Sequence, residues 1–252
     1  MTQYNNRPTI KQSLDSILNQ IDSSFEIIVV DNKSTDGSQE ILQEYSNAGK
    51  LKLISVRCSR GRGRQIAFEN SSGYYIIANL DFDDIFKPRL RELLERYEEM
   101  CGEDHLWVRS LDKGGFWGEE GCKIAPRDLI SGLGGWRDLQ FAEDWELARR
   151  AARSGNYRWT YFRLLESTNP HPERKGFIGR MKFRYVNYRD LLRCDFPVFG
   201  KGERVFIMQR VPYTLAKLSL PFYEHYYDSD RTFHTTFGPR YYIDFGEAPT
   251  NS

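Results

Sequence analysis

The sequence predicts an α/β fold, a mostly parallel sheet flanked by helices, with an aromatic and basic C-terminal extension. Three observations predict it. Short, continuous β-branched runs such as "FEIIVV" (residues 25–30) read as strands buried on both faces. Segments between them carry apolar residues at helical spacing, and the alternation implies βαβ crossovers. A chain of 252 residues, 40% of them hydrophobic, is large enough to bury a substantial core.

Taken in order, residues 8–21 read as a helix with Ile10, Leu14, Ile17, Leu18 and Ile21 on one face. Pro8 suits a first turn, where its missing N–H is not needed. The run 25–30 follows as a strand and ends at Asp31. "STDGSQEILQEYSN" opens with capping residues and continues as a helix through Ile41, Leu42 and Tyr45. Residues 51–56 read as a strand, 64–72 as a helix and 74–80 as a third strand. A helix over 88–100 puts Leu90, Leu93, Leu94 and Tyr97 on one face. Beyond about residue 105 the pattern loosens, leaving one helix in "EDWELARRAARSG" and one strand over 157–165. No strand precedes the first helix, so the first strand is expected to be absent or truncated. The expected division is residues 1–167 as one domain and 168–252 as a helical or irregular extension.

The formal charge is +1, from 36 basic and 35 acidic side chains, so no global field favours a nucleic-acid partner. Locally, His171 to Lys217 holds 11 Lys and Arg against 4 Asp and Glu. Cys58, Cys101, Cys122 and Cys194 are widely spaced and lack a C-x-x-C pair, which reads as reduced thiols in a cytoplasmic protein. No apolar run approaches the roughly 18 to 20 residues of a membrane span, and "MTQYNNRPT" has no signal-peptide core. The segment 204–227 mixes apolar, aromatic and basic residues but is broken by Pro212 and Pro221. It is expected to lie on the inner membrane surface, to pack on the main domain or to form a homodimer contact.

Ligands of open parallel sheets bind beyond the carboxyl ends of the strands, where Asp31 and the trio Asp81, Asp83 and Asp84 fall. Carboxylates so close repel one another unless a cation or a solvated loop absorbs the charge. Mg²⁺ takes one or two protein carboxylates and completes its shell with phosphates and water, so the trio fits a metal holding a diphosphate. "RCSRGRGRQIAFE" adds Arg57, Arg60, Arg62 and Arg64 ahead of a helix, facing either phosphate or solvent. Its G-x-G lacks the third glycine of a dinucleotide fingerprint.

Four stretches, "YNNRPTIKQSLDSILNQ", "FEIIVVDNKSTDGSQEIL", "GRGRQIAFENSSGYYIIANLDFDD" and "GGWRDLQFAEDWELARRAARSG", together resemble family 2 glycosyltransferases of the GT-A fold over residues 2–167. The resemblance implies that Tyr4 and Asp31 contact the nucleotide base, that Arg64 lies near base and phosphates, and that Asp81 reaches the ribose. Asp83, supported by Asp84, would hold Mg²⁺ or Mn²⁺. Gly63 and Gln65 replace the family's usual neighbours of that arginine, and Asn32 follows Asp31 where the family has a second aspartate. Glu143 and Asp144 match the family's E-D pair, with Asp144 as catalytic base. Trp136 matches an acceptor-side loop, where its ring stacks on a sugar or is plain core. His171 matches a histidine near metal or diphosphate in some relatives.

The implied function is an inverting transfer of a hexosyl or N-acetylhexosaminyl group from a nucleotide-diphosphate sugar to a hydroxyl of a glycan or lipid-linked acceptor. Inversion requires a carboxylate to take the acceptor's proton, while the metal stabilises the leaving diphosphate. Two alternatives stand beside it. A strand ending in D-x-D also suits a haloacid-dehalogenase-like phosphatase, and the missing first strand suits a catalytically impaired binding relative.

Overall fold

The computed structural model describes residues 1–102, 104–111, 120–168, 176–196, 198, 207–226 and 242–246. The first half comprises β1 (Thr2–Gln3), α1 (Arg7–Leu18), β2 (Ile28–Asp31), α2 (Ser38–Asn47), β3 (Lys52–Ser55) and α3 (Arg60–Glu69). Strands β1, β2 and β3 form a parallel sheet in that order, with Thr2 opposite Val30 and Val30 opposite Ile54. The expectation that no strand precedes the first helix is therefore corrected. β1 is two residues long, too short to show any periodicity in the sequence.

The first helix begins one residue before the expected start, at Arg7, and ends three residues early, at Leu18. Its opening N–H groups find acceptors outside the helix: Asn6 N–H donates to Ser38 Oγ (3.1 Å) and Arg7 N–H to Asp36 Oδ2 (2.9 Å). The turn before α2 thus replaces a side-chain cap and ties α1 to the ends of the parallel strands.

The second half comprises β4 (Tyr75–Ala78), β5 (Asp84–Phe86), α4 (Leu90–Cys101), β6 (Trp107–Leu111), β7 (Glu120–Pro126), α5 (Arg127–Gly132), α6 (Glu143–Arg153), β8 (Tyr157–Tyr161) and β9 (Leu165–Thr168). Its main sheet has the order β4-β7-β6-β8, with β6 and β8 parallel and β7 antiparallel to both neighbours. β5 and β9 form a separate antiparallel pair. The single strand expected over 157–165 is two strands, β8 and β9, parted by the buried Phe162 and Leu164. Strands β6 and β7 escaped the sequence reading because the buried Arg109 and Lys123 interrupt their apolar runs.

Helices cover both faces. On one, Ile10, Leu14 and Ile17 of α1 meet Leu42 of α2 and Leu93 and Tyr97 of α4 over Val29 of β2. On the other, Phe68 of α3 and Leu147 and Ala151 of α6 enclose Trp107 and Trp136. Removing a side chain such as Leu93, which is wholly buried, is worth about 2–5 kcal/mol by cavity formation.

Two further helices follow, α7 (Phe177–Arg193) and α8 (Ile207–Ser219), the latter carrying Pro212 internally. The carboxyl half of α7 docks on the loop before α6. Leu191, Cys194 and Phe196 pack with Leu139 and Ala142, and the buried Asp190 carboxylate accepts the backbone N–H groups of Gln140 (2.7 Å) and Phe141 (3.0 Å). All four cysteines are free thiols. Among the described residues no helix is long and apolar enough to cross a membrane.

Candidate active site

A cleft of about 550 Å³ opens at the carboxyl ends of β1 and β2, lined by Tyr4, Asn32, Arg60, Asp81, Asp83 and, from α7, Lys182. Tyr4, Asp81 and Asp83 thus meet on one cavity, as the sequence implied. Asp31 does not join them. It is fully buried, and its carboxylate accepts Gln3 Nε2–H (2.5 Å), Ser34 Oγ–H (2.6 Å) and Ser34 N–H (3.1 Å). Its neighbour Asn32 lines the cleft instead, its side-chain oxygen accepting the Cys58 N–H at 2.9 Å.

Asp81, Asp83 and Asp84 bring one carboxylate oxygen each to within 4.8 Å of the others. The turn that gathers them is pinned by the buried Phe82 and closed by the Asp84 N–H donating to Asp81 O at 3.1 Å. All three donors are oxygens, the set a hard divalent cation prefers over a soft one.

The second acidic centre is the start of α6. Ala142 takes a left-handed backbone (φ 63°), and the next two residues, Glu143 and Asp144, turn into the protein and are buried. Asp144 accepts the Trp136 indole N–H (3.1 Å) and an Asn79 amide N–H (2.5 Å), contacts Arg64 and lies 3.7 Å from Lys123 Nζ. Burial works to raise its pKa, but the Arg64 and Lys123 charges and these hydrogen bonds overcome it and hold the carboxyl well below the usual range. Glu143 has Arg64 at 2.7 Å and Arg60 at 3.9 Å. Burial and the charge of Asp144 outweigh that pairing, and its pKa is pushed up to about 7. One carboxylate of the pair is therefore firmly ionised and the other is poised near neutrality.

Arg64 connects the two centres. It is buried, kept charged by the carboxylates around it, and reaches Asp81 at 3.7 Å as well as the α6 pair. It comes this deep because α3 packs closely. A Cβ on Gly61 would lie 2.0 Å from Arg137 O, and the Gly61 N–H donates to Leu139 O at 2.8 Å. The glycines of "RGRGR" thus serve helix packing, while Arg62 turns outward towards Glu69 (3.5 Å).

Trp136 is core rather than a stacking surface. It is 5% exposed, packed edge-on against Phe68 and tilted against Trp107, and its indole orients Asp144. His171 lies outside the described residues. Asn79 and Lys123 were not foreseen, because their partner is reached only by folding. A lysine inside a strand flanked by "GC" and "IAP" was the one available signal.

Residues 1–116 match the family model described as glycosyl transferase family 2. Curated relatives include an uncharacterized glycosyltransferase of Methanocaldococcus jannaschii, 35% identical over 114 residues that make up 42% of this chain and 39% of that protein. Another is UDP-Glc:alpha-D-GlcNAc-diphosphoundecaprenol beta-1,3-glucosyltransferase of Escherichia coli, 34% identical over 34% of each chain. The chain thus spans well under half the length of these relatives. A solved mannosyltransferase of Pyrobaculum calidifontis superposes with a TM-score of 0.56 at 20% identity, covering 87% of this chain and 68% of its own. TarS 1-349 of S. aureus does so with a TM-score of 0.59 at 17% identity, covering 85% and 77%. Sequence match and fold agree with the motifs gathered around the cleft: residues 1–116 are similar to glycosyl transferase family 2, and the chain has the GT-A type of α/β fold.

Proposed function

We propose that the protein transfers a sugar from a nucleotide-diphosphate donor to a hydroxyl of a glycan or lipid-linked acceptor, with inversion and with a divalent cation, Mg²⁺ or Mn²⁺. The observation that carries this reading is the pair of acidic centres joined through one arginine, Asp81–Asp84 at the cleft and Glu143–Asp144 behind it. Asp83 and Asp84 would hold the cation and Asp81 the ribose; when bound, the cation neutralises the diphosphate. Tyr4 takes the base, and Asp31 acts one layer back by fixing Gln3 and Ser34.

Asp144 receives the acceptor proton. Held by Arg64 and Lys123 it is a weak base, but a diphosphate arriving beside Asp81 competes for the Arg64 guanidinium. As that charge turns away, the basicity of Asp144 rises towards what proton abstraction needs. Asn79 and Trp136 keep the carboxylate aimed meanwhile.

The solved neighbours lend the donor class: one was captured with GDP-Man and Mn²⁺, another with UDP-GlcNAc. The E. coli relative, named for a diphosphoundecaprenol substrate, lends a lipid-linked acceptor. Consistent with that acceptor, α8 exposes Val211, Leu215 and Leu218 (68% exposed), with Phe222 (85%) just beyond, and also carries Arg210 and Lys217. Such a face suits the surface of an anionic membrane. The haloacid-dehalogenase alternative loses its ground, since D-x-D here follows the fourth strand rather than the first.

The test is a panel of nucleotide sugars incubated with the purified chain and Mn²⁺ or Mg²⁺, with release of nucleoside diphosphate and transfer to lipid-linked acceptors as readouts. Metal-dependent turnover of one donor is expected. Failure of every nucleoside diphosphate to bind in the presence of Mn²⁺ would overturn the reading in favour of a binding relative.

A further inference from the structure

One stripe of α7 faces the cleft. Gly179, Lys182, Phe183, Val186 and Asn187 recur at alternating helical spacing and line the same cavity as Asp81 and Asp83. The stripe continues into the buried Asp190 and Leu191, which dock α7 on the loop before α6. Its carboxyl half therefore holds the helix in the register that turns these residues to the cleft. This wall lies beyond residues 1–116, the part similar to glycosyl transferase family 2.

Lys182 is the charged member of that wall. Arg180 and Arg184 of the same helix do not line the cavity, and among the described residues no carboxylate pairs with Lys182. A helical side chain leans over the turn before its own, and one turn before Lys182 on the stripe stands Gly179, which has no side chain to screen the ammonium from the cavity. Next to it, the Phe183 ring meets Phe141 edge-on with centroids 6.5 Å apart, and Phe141 immediately precedes the turn into Glu143 and Asp144. Lys182 thus enters the cleft on the side of the α6 pair, whereas Tyr4 and Asn32 border it at the ends of β1 and β2.

The charges on the wall give this position a purpose. The described cations lining the cleft are Arg60 and Lys182, and Arg60 already lies 3.9 Å from Glu143. Asp81 and Asp83, once they hold a divalent cation, offset its charge, so a diphosphate seated there must find further positive charge on the protein.

We propose that Lys182 binds the donor's diphosphate at the phosphate nearest the sugar, an inference that rests on the reading of the cleft as a nucleoside diphosphate site. With the base beside Tyr4 and the sugar directed towards Asp144, a cation entering on the Asp144 side meets the second phosphate rather than the first. Phe183 and Val186 flank it with apolar surface, which strengthens a charged contact there.

Calorimetry of UDP, GDP, dTDP, ADP and CDP and of the matching monophosphates, each with Mn²⁺, tests this without turnover. Wild type is expected to bind one of the diphosphates. Lys182→Gln should weaken that diphosphate by at least about tenfold and leave its monophosphate within about threefold of wild type. Lys182→Arg should recover most of the loss. Arg180→Gln, which removes the same charge from the same helix outside the cleft, should bind like wild type. Unchanged diphosphate affinity in Lys182→Gln overturns the inference and leaves the functional reading standing, whereas a wild type that binds no nucleoside diphosphate overturns both. Equal losses for diphosphate and monophosphate, or an equal loss in Arg180→Gln, also overturn it, because neither pattern needs a contact to the second phosphate. If Lys182→Gln keeps the diphosphate but loses co-sedimentation with anionic vesicles, the lysine belongs to a membrane face instead.

Discussion

The Arg64 guanidinium lies 2.7 Å from the Glu143 carboxylate while also contacting Asp144, so a single buried cation serves two adjacent buried anions. The buried Lys123 at 3.7 Å and the Asn79 and Trp136 N–H groups favour the ionised form of Asp144, whereas Glu143 gains only the more exposed Arg60 at 3.9 Å, and this asymmetry leaves Glu143 the proton-binding member.

Arg64→Met should destabilise the protein by about 3–5 kcal/mol at pH 7, the cost of leaving buried carboxylates unpaired. The loss should shrink below about pH 5, where Glu143 is protonated. Denaturant unfolding at the two pH values checks this; an effect under about 1 kcal/mol at pH 7 would mean that the pairing is not what holds α3 to α6.

Glu143 also makes a signed pH prediction. Its folded pKa of about 7 lies above the ordinary carboxylate value, so the folded state binds more protons between about pH 4.5 and 7. Its contribution is fully present below about pH 4.5 and is lost as pH rises through 7. Glu143→Gln mimics the protonated form, and its Tm should gain on wild type as pH rises from 5 to 8. A Tm difference that stays flat over that range contradicts the assignment.

Asp144→Asn should lower transfer by at least about a hundredfold while leaving nucleoside diphosphate affinity within about threefold. Asp83→Asn should instead weaken Mn²⁺-dependent nucleotide binding. Calorimetry of both variants with Mn²⁺ separates the roles, and equal loss of binding in the two would refute the division.

Asp190→Ala removes the acceptor of two backbone N–H groups in the loop before α6 and leaves Arg189 and Arg193 without their carboxylate. We expect about 1–3 kcal/mol of lost stability and faster exchange of the Gln140 and Phe141 amides. A change confined to α7 amides would show that α7 does not hold this loop.

Replacing Leu215 and Leu218 of α8 by Glu should abolish co-sedimentation with vesicles rich in anionic lipid and leave hydrolysis of a soluble nucleotide sugar unchanged. A variant that still sediments argues against a membrane face. One that stops self-associating instead, by light scattering, assigns the face to a homodimer.

The parts legible in the sequence were those whose signal is local. Leu14 and Ile17 announce their helix through spacing alone, and Asp81 and Asp83 announce a site by following an apolar run. β1 was hidden because two residues carry no period, and β7 because its buried Lys123 looks like a solvent-facing break. The arrangement around Asp144 was hidden for a different reason. Asn79, Lys123 and Trp136 come from three separate elements, and only the packing of α6 on β7 and α3 makes them neighbours. Whether Trp136 is a sugar platform or plain core stayed open for the same reason: nothing near it in the chain shows that Phe68 and Trp107 close over it.

Asn79 adopts a left-handed backbone (φ 63°) directly after β4, and its side chain is tethered to Asp144. Asparagine is among the few non-glycine residues that accept this bend readily. Two residues on, Asp81 faces the cleft, so one short corner is tied to Asp144 at one end and carries Asp81 at the other. The two acidic centres therefore share one hinge-like residue, Asn79, which itself lines no part of the cleft that holds Asp81 and Asp83.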